Sequence, residues 1–271
     1  MNQAIDNLRA LTNCKHILLT ESGDHAILLG MMACRKLSNR KNFIIPDQGG
    51  WFSYKKYPKR LGFEIVEIKT DYGIIDLDDL RGKIKDMDSA AFIYTNPAGY
   101  FAEQPSREIY SLCKDKCLVI KDISGCIGDE KLCISKDADV VVCSFNEWKP
   151  INLGYGGFIG TNSERFFSAI DNHEGKFDEK CLERLIKLLE NLPNRMKMLY
   201  EITERVKRDL KGFKIIHPDK KGINVIVRFD SDEEKARILE YCYRNSLEFT
   251  LCPRYIRVNE KAVSVEVKRM G

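Results

Sequence analysis

Lys149 closes the stretch Ser144-Phe145-Asn146-Glu147-Trp148-Lys149, which follows the apolar run Ala138 to Cys143 and precedes the glycine-rich return Gly154-Tyr155-Gly156-Gly157. An amine held just past a buried strand can condense with a carbonyl group and then carry protons at the reacting carbon. A solvated loop lysine is the plain alternative. Three further segments offer chemistry that would complement such an amine. Thr20-Glu21-Ser22-Gly23-Asp24-His25-Ala26 opens an apolar helix running to Leu37. A turn of small residues at a helix start presents free amides and the positive end of the dipole, which suits a phosphate. Capping by Ser22 or Asp24 explains the same residues, and a carboxylate at Asp24 would repel a phosphate.

Pro46-Asp47-Gln48-Gly49-Gly50-Trp51-Phe52 ends a strand candidate, turns on glycines and delivers an aromatic. Trp51, with Phe52 and Tyr54 close behind, offers a face on which a planar group can stack; anchoring the next helix in the core is the other reading. Leu118-Val119-Ile120-Lys121-Asp122 puts an acid at the carboxyl end of an apolar strand, the edge at which α/β sheets bind ligands. Asp122 could pair there with a protonated ring nitrogen, or simply cap a turn. Tyr94-Thr95-Asn96-Pro97 ends the neighbouring strand in the same way. Asn96 could hydrogen-bond a ring hydroxyl, although Asn-Pro is also a turn signal. Ser144 could donate to the same phosphate as Ser22 and Gly23.

The elements that must position these groups alternate through the first half of the chain. Strands are expected at Asn42 to Pro46, Phe63 to Ile68, Ser89 to Thr95, Cys117 to Asp122 and Asp139 to Cys143. Helices are expected near Phe52 to Leu61, Leu77 to Lys85 and Glu103 to Lys114. Runs such as Ala90-Ala91-Phe92-Ile93-Tyr94 are apolar on both faces, which predicts a mainly parallel sheet covered by helices. The second half reads differently. A long charged helix is expected from Asp178 to Leu210, marked by Pro193. It is followed by a small α+β pattern: a strand at Gly222 to Phe229, a helix at Asp232 to Asn245, and strands at Leu247 to Cys252 and Ala262 to Lys268. The fold class is therefore α/β, with a large domain over residues 1–165 and a small C-terminal α+β domain over 166–271. Their border is a natural place for a ligand cleft.

Composition narrows the function. The 271 residues carry 44 Lys and Arg against 40 Asp and Glu, a net charge of +4, and the two signs are interspersed, so no nucleic-acid stripe is expected. No apolar run approaches the ~20 residues needed to cross a bilayer, and the first residues lack a signal-peptide pattern. This places the protein in the cytoplasm. The ten cysteines are scattered, mostly inside apolar segments and with no CxxC pair, so they read as small buried hydrophobes rather than metal ligands. A sulfur-handling role for Cys126 or Cys252 has no motif behind it.

Taken in order, the Ser22-Gly23 turn, the aromatic after Pro46, Asp122, and Ser144 with Lys149 resemble fold-type I enzymes that use pyridoxal 5'-phosphate (PLP). The nearest likeness is to the aminotransferases acting on nucleotide sugars, the DegT/DnrJ/EryC1/StrS class, with some similarity to aspartate-aminotransferase-type sequences at Asn96-Pro97. The Ser-Phe-x-x-x-Lys spacing and the Gly156-Gly157 return are its most specific parts, and it covers residues 15 to 165. The resemblance implies a large PLP domain, a homodimer with sites at the subunit interface, small-molecule amino donors and acceptors, and no metal. It implies that Lys149 holds PLP as a Schiff base and moves protons, with Asp122 on the pyridine nitrogen. Ser22, Gly23, Asp24, Trp51, Asn96 and Ser144 would complete the cofactor site.

Several features depart from that class. Almost nothing precedes Cys14, so the segment that covers the substrate is expected to be reduced. Asp24 replaces a small hydroxyl residue. Pro150 holds Lys149 away from helical geometry. Arg257, and next Arg254, are candidates to grip a substrate carboxylate through paired hydrogen bonds, although an exposed strand arginine would look the same. Transamination is the leading reading. A PLP-dependent lyase, decarboxylase or sulfur-transfer enzyme is the second, and a non-catalytic binding or regulatory protein on the same scaffold is the third.

Overall fold

The computed structural model describes residues 1–86, 88–170 and 176–270. The chain opens with α1 (Asn2–Thr12), β1 (His16–Thr20), α2 (Gly23–Leu37), β2 (Asn42–Pro46), α3 (Phe52–Arg60) and β3 (Glu64–Ile68). A short hairpin, β4 (Thr70–Asp71) and β5 (Ile74–Ile75), leads to α4 (Leu77–Asp86), β6 (Ser89–Thr95), α5 (Ser106–Cys113), β7 (Leu118–Asp122), β8 (Val140–Ser144), β9 (Gly157–Thr161) and α6 (Glu164–Ala169). The remainder is α7 (Leu182–Asp209), β10 (Lys214–Ile215), β11 (Val225–Arg228), α8 (Asp232–Arg244), β12 (Phe249–Cys252) and β13 (Ala262–Val265).

Seven strands form the central sheet in the order β1-β9-β8-β7-β6-β2-β3. The five from β8 to β3 run parallel, while β9 is antiparallel to both β8 and β1. Every residue of β6 is buried, as expected of a strand covered on both faces. Alternation along the strands divides the side chains between two cores. Phe92, Tyr94, Val119 and Val141 face a layer containing Leu80, Ile109, Leu185 and Leu192. Ala91, Ile93, Ile120, Val140 and Val142 face Ile27, Met31, Tyr54 and Phe166 on the opposite side. Each fully buried aliphatic or aromatic side chain contributes about 1.5–3 kcal/mol.

A separate antiparallel sheet, β10-β11-β13-β12, forms the small C-terminal domain. It docks on the loop after β6, where Phe101 and Ala102 pack with Ile216, Ile226, Cys252, Val258 and Ala262. Ile223 and Asn224 both donate their backbone N–H to the Tyr100 carbonyl, at 2.8 and 3.0 Å. Gly222 permits this approach, because a Cβ there would lie 2.4 Å from the Phe101 backbone.

The expected parallel strands and their helices are all present, and the differences have local causes. The helix expected from Glu103 begins at Ser106, since Pro105 occupies its N-cap. The helix expected from Asp178 is continuous from Leu182 to Asp209 with Pro193 inside it. Burial of Leu185, Leu189, Leu192, Met196 and Leu199 along one face outweighs the hydrogen bond that Pro193 cannot donate. The strand expected from Ala262 to Lys268 stops at Val265, and Val267–Arg269 form a single 3-10 turn instead. Two strands of the central sheet escaped the periodicity, β1 and β9, although β9 begins in the glycine-rich return, and the two-residue strands β4, β5 and β10 escaped it as well. Residues before Cys14 form α1, which buries Ala4 and Leu8 in the same core as α7. No helix among the described residues is long and apolar enough to cross a membrane. All ten cysteines are free thiols, buried except Cys181. Burial pushes the Cys126 and Cys252 thiols up, so neither is poised as a nucleophile.

Gly222→Ala should destabilise the fold by about 1–3 kcal/mol through overpacking against Phe101. Urea unfolding would show this as a lowered midpoint with an unchanged slope.

Candidate active site

The carboxyl ends of β6, β7 and β8 and the start of α2 meet the last turns of the chain around a cavity of about 300 Å³. Ser22, Gly23, Asp24, Trp51, Asp122, Ser144, Lys149 and Arg257 all line it, so most of the residues singled out from sequence converge in space.

The start of α2 and the end of β8 are packed in close contact. A Cβ on Gly23 would fall 2.4 Å from that of Ser144, so only glycine allows it. The first-turn amides of a helix lack acceptors within the helix, and here that turn opens onto the cavity beside Ser144. Ser22 caps α2 by accepting the His25 N–H at 3.1 Å, so capping and cavity lining coexist. Asp24 does not project as a free carboxylate. It accepts the Trp51 indole N–H at 2.8 Å and a hydrogen bond from the Ser53 hydroxyl. The acid is thereby used to orient the indole. Trp51 in turn stands 5.3 Å, ring centroid to Nζ, from Lys149.

Asp122 lies at the end of β7, buried but for 4% of its surface. It accepts the Tyr54 hydroxyl at 2.8 Å and the Ser124 N–H at 2.9 Å. Tyr54 also meets Thr95 at 3.0 Å, so its ring, buried in the α3 side of the sheet, fixes the carboxylate. Burial, first, and then the Asp122 charge raise the Tyr54 hydroxyl pKa well above the ordinary value, which keeps it a donor.

Lys149 is 9% exposed and donates to the Tyr100 hydroxyl at 2.6 Å. Tyr100 was not singled out from the sequence. Its φ of 71° puts a bulky residue in the left-handed region, a strained conformation that its surroundings must hold. Three cations surround its ring: Lys149 at 4.5 Å, Arg257 at 5.1 Å and Lys268 at 5.4 Å from the centroid. Burial raises the Tyr100 pKa and the Lys149 charge works against that rise.

Two expectations need correction. Asn96 does not reach the cavity. Its amide donates to Ser106 and the Leu132 carbonyl and accepts the Gln104 N–H at 3.1 Å, so it ties down its own loop. The Asn-Pro turn reading explains it. Arg257 is neither an exposed strand residue nor a free clamp. It is 3% exposed and grips Glu266 through Nε at 3.0 Å and Nη2 at 2.8 Å, with Nη1 on the Ile256 carbonyl. Glu266, fully buried, also accepts from Ser264 and Asn224. Burial alone would raise its pKa, but Arg257 and Lys268 hold it well below the carboxylate range. Lys268 and Arg269 also line the cavity; Lys268 is the last residue of the expected strand, and no sequence signal marks Arg269.

Residues 5–175 match the model of the DegT/DnrJ/EryC1/StrS aminotransferase family. The chain belongs to that family. Residues 193–271 match a second model, the MJ1341 family C-terminal domain. Among solved structures of the same fold are a DegT/DnrJ/EryC1/StrS aminotransferase from Brucella abortus (TM-score 0.78, 15% identity, 98% of this chain and 84% of that one) and the Helicobacter pylori aminotransferase PseC (0.75, 18%, 97% and 85%). A serine palmitoyltransferase from S. paucimobilis with bound PLP is similar at TM-score 0.75 and 15% identity, over 97% of this chain and 70% of that one. Probable glycine dehydrogenase (decarboxylating) subunit 2 of Thermotoga petrophila and of Thermotoga maritima is 34% identical over 82 residues, 28% of this chain. That stretch spans only 17% of the length of those relatives.

Membership of this aminotransferase family, together with the fold shared with a PLP-bound neighbour, names PLP as the cofactor against which the cavity can be tested. A helix start pressed against Ser144 suits a phosphate, a buried carboxylate suits a ring nitrogen, an oriented indole suits the ring face, and a buried amine suits the aldehyde. All four line one cavity, so the residues present fit PLP.

Glu266→Gln should cost about 3–5 kcal/mol of stability, because it leaves Arg257 buried without its counter-charge. Denaturant unfolding at pH 7 measures this, and an unchanged midpoint would refute the counter-charge role.

Proposed function

We propose that this PLP-dependent enzyme transfers an amino group between small molecules, with Lys149 as both the attachment point of the cofactor and the carrier of the transferred proton. The observation that carries the reading is the convergence of Lys149, Asp122, Trp51 and the α2 start on one cavity. When bound, PLP supplies an aldehyde that condenses with amines and a ring that accepts the electrons of a bond broken at the substrate carbon.

The chain's own residues do the rest. Ser22, Ser144 and the first turn of α2 would hold the phosphate. Trp51, oriented by Asp24, would offer the face on which the ring stacks. Asp122, held by Tyr54 and Ser124, keeps a proton on the ring nitrogen. Lys149 moves a proton at the substrate carbon, and Tyr100 aims its Nζ through the 2.6 Å hydrogen bond. The same reading divides the chain near residue 165, with the cofactor on the large sheet and the substrate facing the C-terminal segment. Phe52 and Trp148 line the cavity while staying 54% and 43% exposed, and this supports a homodimer in which a second copy covers the mouth. Ten free thiols support a reducing compartment, the cytoplasm.

A second reading, decarboxylation, is supported by the short match to relatives named as decarboxylating. Production of keto acid without release of carbon dioxide favours transamination.

Borohydride reduction after incubation with PLP should place a pyridoxyl mass on Lys149, as read by peptide mass spectrometry. Lys149→Ala should lose that label and at least about 10²-fold in turnover. Label scattered over surface lysines, or full turnover in the variant, would overturn the assignment.

A further inference from the structure

The cations at the substrate end of the cavity are not all accounted for by the cofactor. Five basic side chains line it, Lys149, Arg254, Arg257, Lys268 and Arg269. Asp24 and Asp122 lie at the cofactor end and are already hydrogen-bonded, and Glu147 stands exposed at the rim. Arg257 is matched by Glu266 in a paired geometry. Arg269 is matched by Glu248 through Nη1 at 2.6 Å, which leaves Arg254 and Lys268 without a carboxylate of their own.

Lys268 is 4% exposed, and among the described residues its Nζ is ion-paired only with a shared carboxylate. It lies 3.3 Å from Glu266 Oε2, an oxygen that already accepts from Arg257 and Asn224. The Arg269 guanidinium donates to Glu248 at 2.6 Å and lies 4.4 Å from the centroid of the Trp148 ring, so it forms a wall of the cavity rather than a free donor. The Arg254 side chain forms no hydrogen bond or ion pair among the described residues. A buried ammonium without its hydrogen bonds is costly unless a ligand supplies them.

We propose that Lys268, with Arg254, forms a second anion subsite at the substrate end, so that the preferred amine or keto substrate carries an acidic group, a carboxylate or a phosphate monoester, that docks on Lys268. This rests on the transaminase reading above. In it Arg257 is a scaffold, clamped to Glu266, and Lys268 is the specificity-determining residue.

The electrostatics agree with the geometry. Burial, opposed by Glu266 and reinforced by Arg257, Lys149 and Arg269, lowers the Lys268 pKa to about 7. Glu266 is strongly acidic at the same time, because it answers to several cations while Lys268 has only a share of one carboxylate. Tyr100, the remaining titratable group against Lys268, stays neutral. An arriving anion restores the charge on Lys268, so binding takes up a proton. It weakens as pH rises through 7, where the empty site loses that proton.

The test uses the PLP-loaded enzyme, whose α2 end is filled by the cofactor phosphate. Calorimetric titration with succinate and with inorganic phosphate should show binding, with proton uptake at pH 7 revealed by buffers of different ionisation enthalpy. The tighter of the two identifies the acidic group. Lys268→Met should weaken that binding at least about tenfold, and Lys268→Arg should restore most of it. In turnover, Lys268→Met should raise KM for L-aspartate or O-phospho-L-serine and leave KM for L-alanine unchanged. Equal losses for acidic and neutral donors, or unaltered anion binding, would overturn the subsite. Should the Met variant fail to fold, binding without proton uptake in the unaltered enzyme would overturn it. Failure of PLP to label Lys149 is a separate result and refutes the reading beneath, whereas loss of acid selectivity in enzyme labelled at Lys149 refutes the subsite alone.

Discussion

The contact between the start of α2 and the end of β8 sets the rest of the site. Gly23 has no room for a side chain because Ser144 stands against its Cα, and a Cβ on Gly157 would in turn fall 2.8 Å from the Gly23 nitrogen. The helix start is therefore fixed relative to the strand that leads to Lys149. The Ser22-Gly23 turn and the Lys149 amine are far apart in sequence, but they are brought to one cavity by backbone packing with almost no tolerance. Asp122 sits on the strand beside β8, so its distance from both is fixed by the parallel register.

Second in importance is the way buried charge is arranged. The C-terminal segment brings Arg257, Lys268 and Arg269 around one fully buried carboxylate, Glu266. Such a group is stable only where every charge is paired and hydrogen-bonded. Arg257 meets that condition and Lys268 does not, and the difference separates framework from site. The Tyr54–Asp122 pair shows the same logic on the cofactor side, where a neutral buried donor holds an acid without cancelling its charge.

Much of this was legible in the sequence, and the limits are physical. Parallel strands buried on both faces produce unbroken apolar runs, so β2, β6, β7 and β8 could be read directly, and the groups at their carboxyl ends could be placed on one sheet edge. Lys149, Asp122, Trp51 and the Ser22-Gly23 turn followed. β1 and β9 pair antiparallel at one side of the sheet and have no crossover helix between β8 and β9 to announce them. Asn96 misled because an amide at a strand end serves a loop as readily as a ligand. Lys268 and Arg269 were invisible because the chain leaves β13 after Val265 and turns, and the turn depends on Glu266 being held by residues distant in sequence. Tyr100 carried no signal, since a left-handed tyrosine is imposed by its surroundings rather than by its neighbours in the chain.

Tyr100 also has a bearing on how this site could diverge. Its hydroxyl holds Lys149, its ring contacts Arg257 and Lys268, and its carbonyl anchors the small sheet through Ile223 and Asn224. One position thus touches the Lys149 amine, the cationic lining of the cavity and the seam between the two sheets. Descendants of this sequence could not exchange it to suit a new substrate without also disturbing the amine and the docking. New specificities would arise more readily at the rim, in Arg254 or Trp148, than at this shared centre.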